Sequence, residues 1–460
     1  MSDTPIVESK GIYFAQDYSV NSLKLILSDG KEFELKKIFV ELSYYEDIYS
    51  FVVSGHVTIL DSQGFSETLA LSGNSFLEVN ISKTEDQING INRTFRVYKM
   101  GTKMPTGNQN NEIYTLYFCS EEMILSEQNK ISKSYQGYKI SDIITNIVKD
   151  IGPTGKLAIN QNRIKTIEET SGIYDFIVPK IKPFETISWL SNYARPAAAG
   201  PSGGSDMLFF ETKDGFYFRS LQSMFSDKVY TNYRYEAENL NKNVQNLSRK
   251  MSNVLDYTIT KPYDILNEIN SGTFANRTIT IDPLTRTVLV KDFNYTDYNG
   301  KSLNKNKVNS ELTNRIGQSQ SQSVEGVLKL SVGNSNQQNV PYIKQQGAAS
   351  KDKFAEDFIR NRTAQISLAN YTTIKAVIPG DPGITAGRTI NFDLLTIKPD
   401  LNLRDENKYY SGKYLVSALR HVISSSGSYK TILELTKDSS PTKYPNIDNS
   451  NVKIKAAIQE

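Results

Sequence analysis

Cysteine occurs once in 460 residues, so the chain holds no intrachain disulfide and is expected to fold in a reducing compartment. Cys119 ends the run Ile113-Tyr114-Thr115-Leu116-Tyr117-Phe118-Cys119, where it reads as a small buried hydrophobe rather than a nucleophile. Histidine occurs only twice, as His56 and His421, and neither has a second histidine or a cysteine at ligand spacing. A metal site is therefore not expected, and both residues read as structural members of strands. No window reaches the roughly 18 apolar residues that a membrane-spanning helix needs. The start, Met1-Ser2-Asp3-Thr4-Pro5, has no basic region followed by an apolar stretch, so no signal peptide is expected. Charge of one sign is lacking too. The 53 basic and 50 acidic residues leave a net +3, too balanced to argue for wrapping nucleic acid or coating an anionic membrane.

Catalytic signatures are equally scarce. There is no Gly-x-Ser-x-Gly elbow, phosphate-binding loop or dinucleotide fingerprint. Gly380-Asp381-Pro382-Gly383 is glycine-rich but reads as a strand-to-strand turn, with Pro and Gly setting the dihedrals. Glu121 and Glu122 form an adjacent carboxylate pair. On a strand such neighbours face opposite ways, so they read as solvated charges at a strand end rather than a shared acid/base site. No catalytic, cofactor-binding or metal-binding residue is assigned. The sequon Asn92-Arg93-Thr94 carries no weight without secretion.

What the chain does have is tyrosine and phenylalanine, 27 and 20 of them against a single tryptophan. Tyr suits half-buried pleated surfaces and protein interfaces, so the composition points to β-structure with protein contacts. The length suggests two to four domains. Leu23, Leu25 and Leu27 recur with a period of two, although Ile26 spoils strict alternation, and Asp29-Gly30 marks a turn. Phe51, Val53, Val57 and Ile59 keep that period over 50–60, ending at Asp61-Ser62-Gln63-Gly64. Leu77, Val79 and Ile81, then 95–100, then 113–119, add three more strands. Such a series fits a small barrel or sandwich.

The pattern then turns helical. Ile140, Ile143, Ile144, Ile147 and Val148 share one helix face, with Ser141 expected as the cap and Gly152-Pro153 as the stop. Pro183 opens a second helix carrying Phe184, Ile187, Leu190 and Ala194; Pro196 and residues 197–205 should break it as an exposed loop. A hairpin follows at 207–211 and 215–219, around Thr212-Lys213-Asp214. Residues 226–346 are more polar and include Gln318-Ser319-Gln320-Ser321-Gln322-Ser323. They read as an insertion of mixed structure with a mobile loop. A helix over 351–368 and strands at 372–378, 389–395, 413–423 and 429–437 complete the pattern. The polar tail from Ser439 to Glu460 should order only against a partner.

The run from Phe176 to Leu190, with Pro179, Pro183 and Trp189, then Leu208-Phe209-Phe210-Glu211 and Gly215-Phe216-Tyr217-Phe218-Arg219-Ser220-Leu221, resembles the baseplate hub proteins of contractile phage tails. The T4-type gene product 27 family, related to the hub domain of type VI secretion spikes, is the nearest pattern. Ile378-Pro379-Gly380, Ile384 to Gly387 and Ile390-Asn391-Phe392 are similar to the family's barrel return. Tyr410 to Val416 and Tyr429 to Leu435 are similar to its closing hairpin. The resemblance implies an α+β, mainly β protein with two tail-tube-like antiparallel β-barrels and a helix-containing connecting and inserted domain. On that reading 1–120 is the first barrel and 121–169 a helical connector. The second barrel is split into 170–222 and 370–438 around an inserted mixed domain at 223–369, and 439–460 is a tail.

The same resemblance implies a non-enzymatic homotrimer joining a sixfold tail tube to a threefold central spike, itself able to carry a lysozyme. Further implied partners are tube or tube-initiator proteins, the tape-measure protein and the surrounding wedge proteins. DNA would pass through the lumen without specific binding, no cofactor or membrane insertion is implied, and the virion baseplate, assembled in the host cytoplasm, is the location. A peripheral receptor- or carbohydrate-binding tail protein is the alternative, because Tyr-rich sheets also stack on sugars. A tail-associated hydrolase lacks an acid/base pair. The loop at 300–346 and the tail are expected to touch partners.

Overall fold

The computed structural model describes residues 18–68, 73–83, 90–107, 111–149, 157–199, 204–235, 252–282, 287–295, 302–307, 331–332, 339–340, 343–346, 355–396 and 406–442. Alternation of apolar and polar side chains dictates most of the strands. In Ser54–Asp61, Val57 and Ile59 point into the core while His56, Thr58 and Leu60 lie on the other face. Phe76–Lys83 buries Leu77, Val79 and Ile81 in the same way.

Fourteen strands form one sheet. The first eight are β1 (Tyr18–Ile26), β2 (Glu32–Glu34), β3 (Phe39–Asp47), β4 (Ser54–Asp61), β5 (Phe76–Lys83), β6 (Ile91–Met100), β7 (Met104–Pro105) and β8 (Glu112–Cys119). The other six are β9 (Val229–Tyr235), β10 (Asp256–Lys261), β11 (Thr372–Pro379), β12 (Thr389–Leu394), β13 (Gly412–Ser424) and β14 (Tyr429–Lys437). Along the sheet the order is β10-β11-β14-β13-β3-β4-β8-β6-β5-β1-β2. β12 lies beside β13, β9 beside β12, and β7 beside β8. The two halves meet where β13 runs antiparallel to β3, from Ala418 opposite Asp47 to Ser424 opposite Glu41.

Each half wraps its own core. Leu23, Val57, Leu77, Val79, Phe95, Leu116 and Phe118 fill the first. Ile374, Ile378, Ile390, Phe392, Tyr414, Leu433 and Leu435 fill the second. The two expected antiparallel barrels thus meet a single continuous sheet, and one of its pairings, β9 with β12, is parallel. Around the second half, Arg234 N of β9 donates to Ser252 O (2.9 Å) and Val254 N donates to Arg234 O (2.9 Å). The chain entering β10 therefore lies beside β9.

The strands of the second half also differ from the expected segments. Ile173–Ile181, Met207–Thr212 and Gly215–Ser220, expected to open the second barrel, lie in separate small sheets. β9 and β10, expected within a polar insertion, occupy places in the main sheet instead. Their alternating Tyr, Thr and Ile give each a face that packs: Tyr233, Tyr235, Tyr257 and Ile259 join the second core.

A third core, built on the helices Ile140–Lys149 and Pro183–Ser191 and the small sheets, packs against Val52 and Cys119 of the first half. Ile140, Ile143, Ile144, Ile147 and Val148 are all fully buried, as their spacing predicts. Ser141, expected as the cap, is instead inside the first turn, where its backbone N–H donates to Thr170 Oγ1 (2.9 Å). Pro183 does open its helix, and Lys182 N donates back to Glu185 Oε2 (3.4 Å) as a capping-box bond. Ala194 is buried but lies beyond the helix end at Ser191.

Of the loop expected to be exposed at 197–205, Ala197 and Ala198 are exposed, whereas Gly204 and Ser205 are buried. Arg195–Pro196 pairs with Thr170–Ser171, Ala197–Ala199 forms a 3-10 turn, and Ser205 is fully buried. Residues 50–53 precede the strand, which starts at Ser54, and follow a turn over 47–50 in which Ser50 N donates to Asp47 O (3.1 Å).

The helix expected over 351–368 is described as Ala355–Ala369. The Gln/Ser run at 318–323, the Gly152-Pro153 stop and the tail beyond 442 lie outside the described residues.

Candidate functional site

The hairpin Met207–Thr212/Gly215–Ser220 packs in the third core, and its tip bonds to Arg93 and Glu46 of the first half and reaches Arg388 of the second. Gly215 takes the left-handed backbone (φ +140°) that tightens this turn, and a Cβ there would sit 2.1 Å from Arg163 O. The tip delivers Glu211, Thr212, Lys213 and Asp214 to the seam between β3 and the 380–388 turn.

Glu211 has no exposed side-chain surface. Its Oε1 accepts from Arg93 Nη2 of β6 and from Arg163 Nη2, both at 2.5 Å. Its Oε2 accepts from Ser120 Oγ (2.5 Å) and Val53 N (3.0 Å). Arg163 also holds Glu122 through Nη1 at 2.5 Å, and Arg93 Nη1 donates to Thr212 O and Lys213 O, each at 3.3 Å. A buried carboxylate shared by two guanidiniums is the arrangement that makes burial of charge tolerable.

Glu46, from β3, is the second tie. Its Oε1 accepts from Lys213 N (2.6 Å) and Tyr44 OH (3.2 Å), and its Oε2 accepts from Ala386 N (2.9 Å) of the second half. Burial raises its pKa to about 7 against the opposing pull of those two backbone N–H groups.

Beside it His421, opposite Tyr44 in the seam, turns Nδ1 toward Tyr429 OH (3.0 Å) and Thr431 Oγ1 (3.1 Å). Burial lowers its pKa to about 3, which keeps the ring neutral. The turn at 380–383 does connect two strands, β11 and β12. Gly380 is obligatory there, since a Cβ would lie 2.1 Å from the Tyr429 ring.

The remaining residues singled out by sequence fall apart in space and character. His56 lies on the outer face of β4, between Tyr45 and Tyr117, with ring centroids at 5.8 Å on either side. Cys119 is buried, and burial raises its thiol to about 12, in keeping with an inert core residue. Glu121 and Glu122 follow the end of β8 and open the helix Glu121–Gln128. Glu122 is only 5% exposed and paired with Arg163, so the expectation of a solvated charge is corrected at Glu122.

Sequence reasoning passed over Glu46, Arg93, Arg163 and Glu211. Isolated charges inside apolar alternation, such as Glu211 after Leu208-Phe209-Phe210, are the signal that could have found them. Every oxygen of Glu46 and Glu211 already accepts a hydrogen bond, so the junction clamps segments rather than presenting a free base.

Among the described residues, no group of three or more His, Cys, Asp or Glu side chains is placed to hold a metal ion. No helix among them is long and apolar enough to cross a membrane.

No family model matches the chain. A curated relative, described as a probable baseplate hub protein gp334 of Vibrio phage KVP40, is 23% identical over 407 residues. The match spans 87% of this chain and 89% of the relative. Among solved structures, the 43 kDa tail protein of prophage MuSo2 from Shewanella oneidensis matches with a TM-score of 0.51 at 8% identity, covering 91% of this chain and 99% of that one. The tail protein from Neisseria meningitidis MC58 matches with a TM-score of 0.50 at 11% identity, covering 93% and 99%. The two structures share the fold alone. Over most of its length, the chain is similar in sequence to a phage baseplate hub protein and carries the fold of phage tail proteins.

Proposed function

We propose that this chain is a structural hub of a contractile phage tail baseplate: a homotrimeric adaptor between a sixfold tube and a threefold central spike. The observation that carries the reading is the single sheet running through two halves, each wrapped on its own core and joined edge to edge at β3–β13. Two such halves per subunit supply two similar surfaces, and three subunits then supply six. Likeness to a baseplate hub protein over 87% of the chain supports the same reading.

Each half is read as a tube-like barrel. The bonds between Arg234 and 252–254 support closure of the second half, and the Tyr18 hydroxyl brings β1 to the seam by reaching Ser424 O of β13 (3.1 Å). The spike, tube, tape-measure and wedge proteins are the partners, with DNA passing through the central lumen. The chain acts in the virion baseplate after assembly in the host cytoplasm.

Mass measurement in solution, alone and with a cognate spike, tests this reading. A trimer in either condition is expected; a stable monomer that stays monomeric with the spike would overturn it. A peripheral sugar-binding role is the second reading. It is favoured by the row of outer-face rings Tyr45, His56, Tyr117 and Tyr98, spaced 5.8, 5.8 and 6.4 Å. A central position on the tail axis in a particle map would exclude it.

A further inference from the structure

Glu46 is a carboxyl group with 1% exposure whose three hydrogen-bond donors are all neutral: two backbone amides and a phenol. Each donor belongs to a different part of the molecule. Tyr44 comes from its own strand, Lys213 from the hairpin tip, and Ala386 from the second half. The charged groups around it are engaged elsewhere. Lys213 Nζ lies 3.1 Å from Asp214, Arg388 reaches Asp214 from the second half at 3.6 Å, and Arg93 of β6 is bound to Glu211. From β13 and β14, the rings of His421 and Tyr429 pack beside Tyr44, with the His421 ring 5.8 Å from those of Tyr44 and Tyr429. Glu46 is thus a buried carboxyl group with no bound counter-ion among the described residues, set in the joint that holds three segments together, whereas Glu211 beside it has two.

We infer that Glu46 is a proton-sensitive latch on this joint: protonated, it rests in the closed seam, and once ionised it favours a local opening that lets the hairpin tip and water reach each other. In the closed joint the carboxyl binds its proton more tightly than in an opened, hydrated one, because burial penalises the charged form. The sign then follows from linkage. The closed state is favoured at the acid end and loses that advantage as pH rises from the ordinary glutamate value of 4.5 to about 7, then levels off. This inference does not depend on the trimer or the spike.

Amide hydrogen exchange of the full chain between pH 5 and 8, corrected for intrinsic exchange, tests it at Lys213 and Ala386, with core amides such as Val79 as the reference. Protection at the two amides is expected to fall about tenfold per pH unit between roughly 5 and 7 and then to flatten. Glu46→Gln, neutral throughout, is expected to abolish the step. Tyr44→Phe removes a donor that stabilises the carboxylate, so the upper end of the step should move to higher pH. Flat protection in the native chain, or a step retained in Glu46→Gln, would overturn the latch. Should Glu46→Gln not fold, an unmoved step in Tyr44→Phe overturns it and a shifted one supports it.

Discussion

Glu211 meets four donors with two oxygens, and two of those donors are guanidiniums that have left water to reach it. Arg93 retains 12% of its side-chain exposure and Arg163 31%. Among the described residues, removing the carboxylate leaves Arg93 with backbone carbonyls as its hydrogen-bond partners and Arg163 with Glu122. Glu211→Ala is therefore expected to destabilise the chain by about 3–5 kcal/mol, the range for breaking a buried pair by removing one partner. Urea unfolding of the variant measures it. A loss under about 1 kcal/mol would mean the network is solvated in solution. At this scale the sequence was only partly legible. Cys119 as a core residue and Gly380 as a turn residue follow from their neighbours. The inward position of Glu122 does not, since it depends on Arg163, 41 residues away, turning toward it.

Strands and helices were legible wherever the period of the side chains was set by a core. Leu77, Val79 and Ile81, or Ile140 through Val148, bury as their spacing demands because each faces one apolar cluster. β9 and β10 escaped because their inward residues are Tyr, Ile and Thr set among charges, so polarity masked a true period of two. Nor does any local pattern announce the seam: β3 and β13 are some 370 residues apart, and only their opposed edges bring them together. Val422 sits between Ser43 of β3 and Lys430 of β14, so its backbone is enclosed by ladders on both sides. Val422→Pro removes a ladder N–H and leaves its carbonyl partner unsatisfied, which is expected to cost about 1–3 kcal/mol. Equilibrium unfolding would register it. Unchanged stability would mean that the β3–β13 pairing contributes little and the halves are held by the hairpin junction alone.

Across the whole molecule, the polar segments at 302–307 and 438–441 are built into the fold. They were expected to wait for a partner because they contribute few apolar side chains, yet hydrogen bonds do the work that packing does elsewhere. Asn304 Nδ2 donates to Lys413 O and Ser439 O, both at 3.0 Å, and Asn304 Oδ1 accepts from Lys413 N (3.0 Å). Asn306 pairs with Ser440 across a short two-stranded ladder, and Leu303 N donates to Asp438 Oδ1 (3.0 Å). One asparagine side chain thus binds two segments more than 100 residues away in sequence, pinning the exit of β14 onto the start of β13. Composition cannot reveal such a clasp, since the same Asn-rich stretch would look identical in a free loop. Asn304→Ala leaves the carbonyls of Lys413 and Ser439 and the N–H of Lys413 without this partner, which is expected to cost the isolated chain about 2 kcal/mol. Thermal or urea unfolding of the chain without any partner makes the distinction. A clasp internal to the fold predicts that loss in isolation, whereas a segment serving only a partner predicts unchanged stability alone and weaker association once the partner is added.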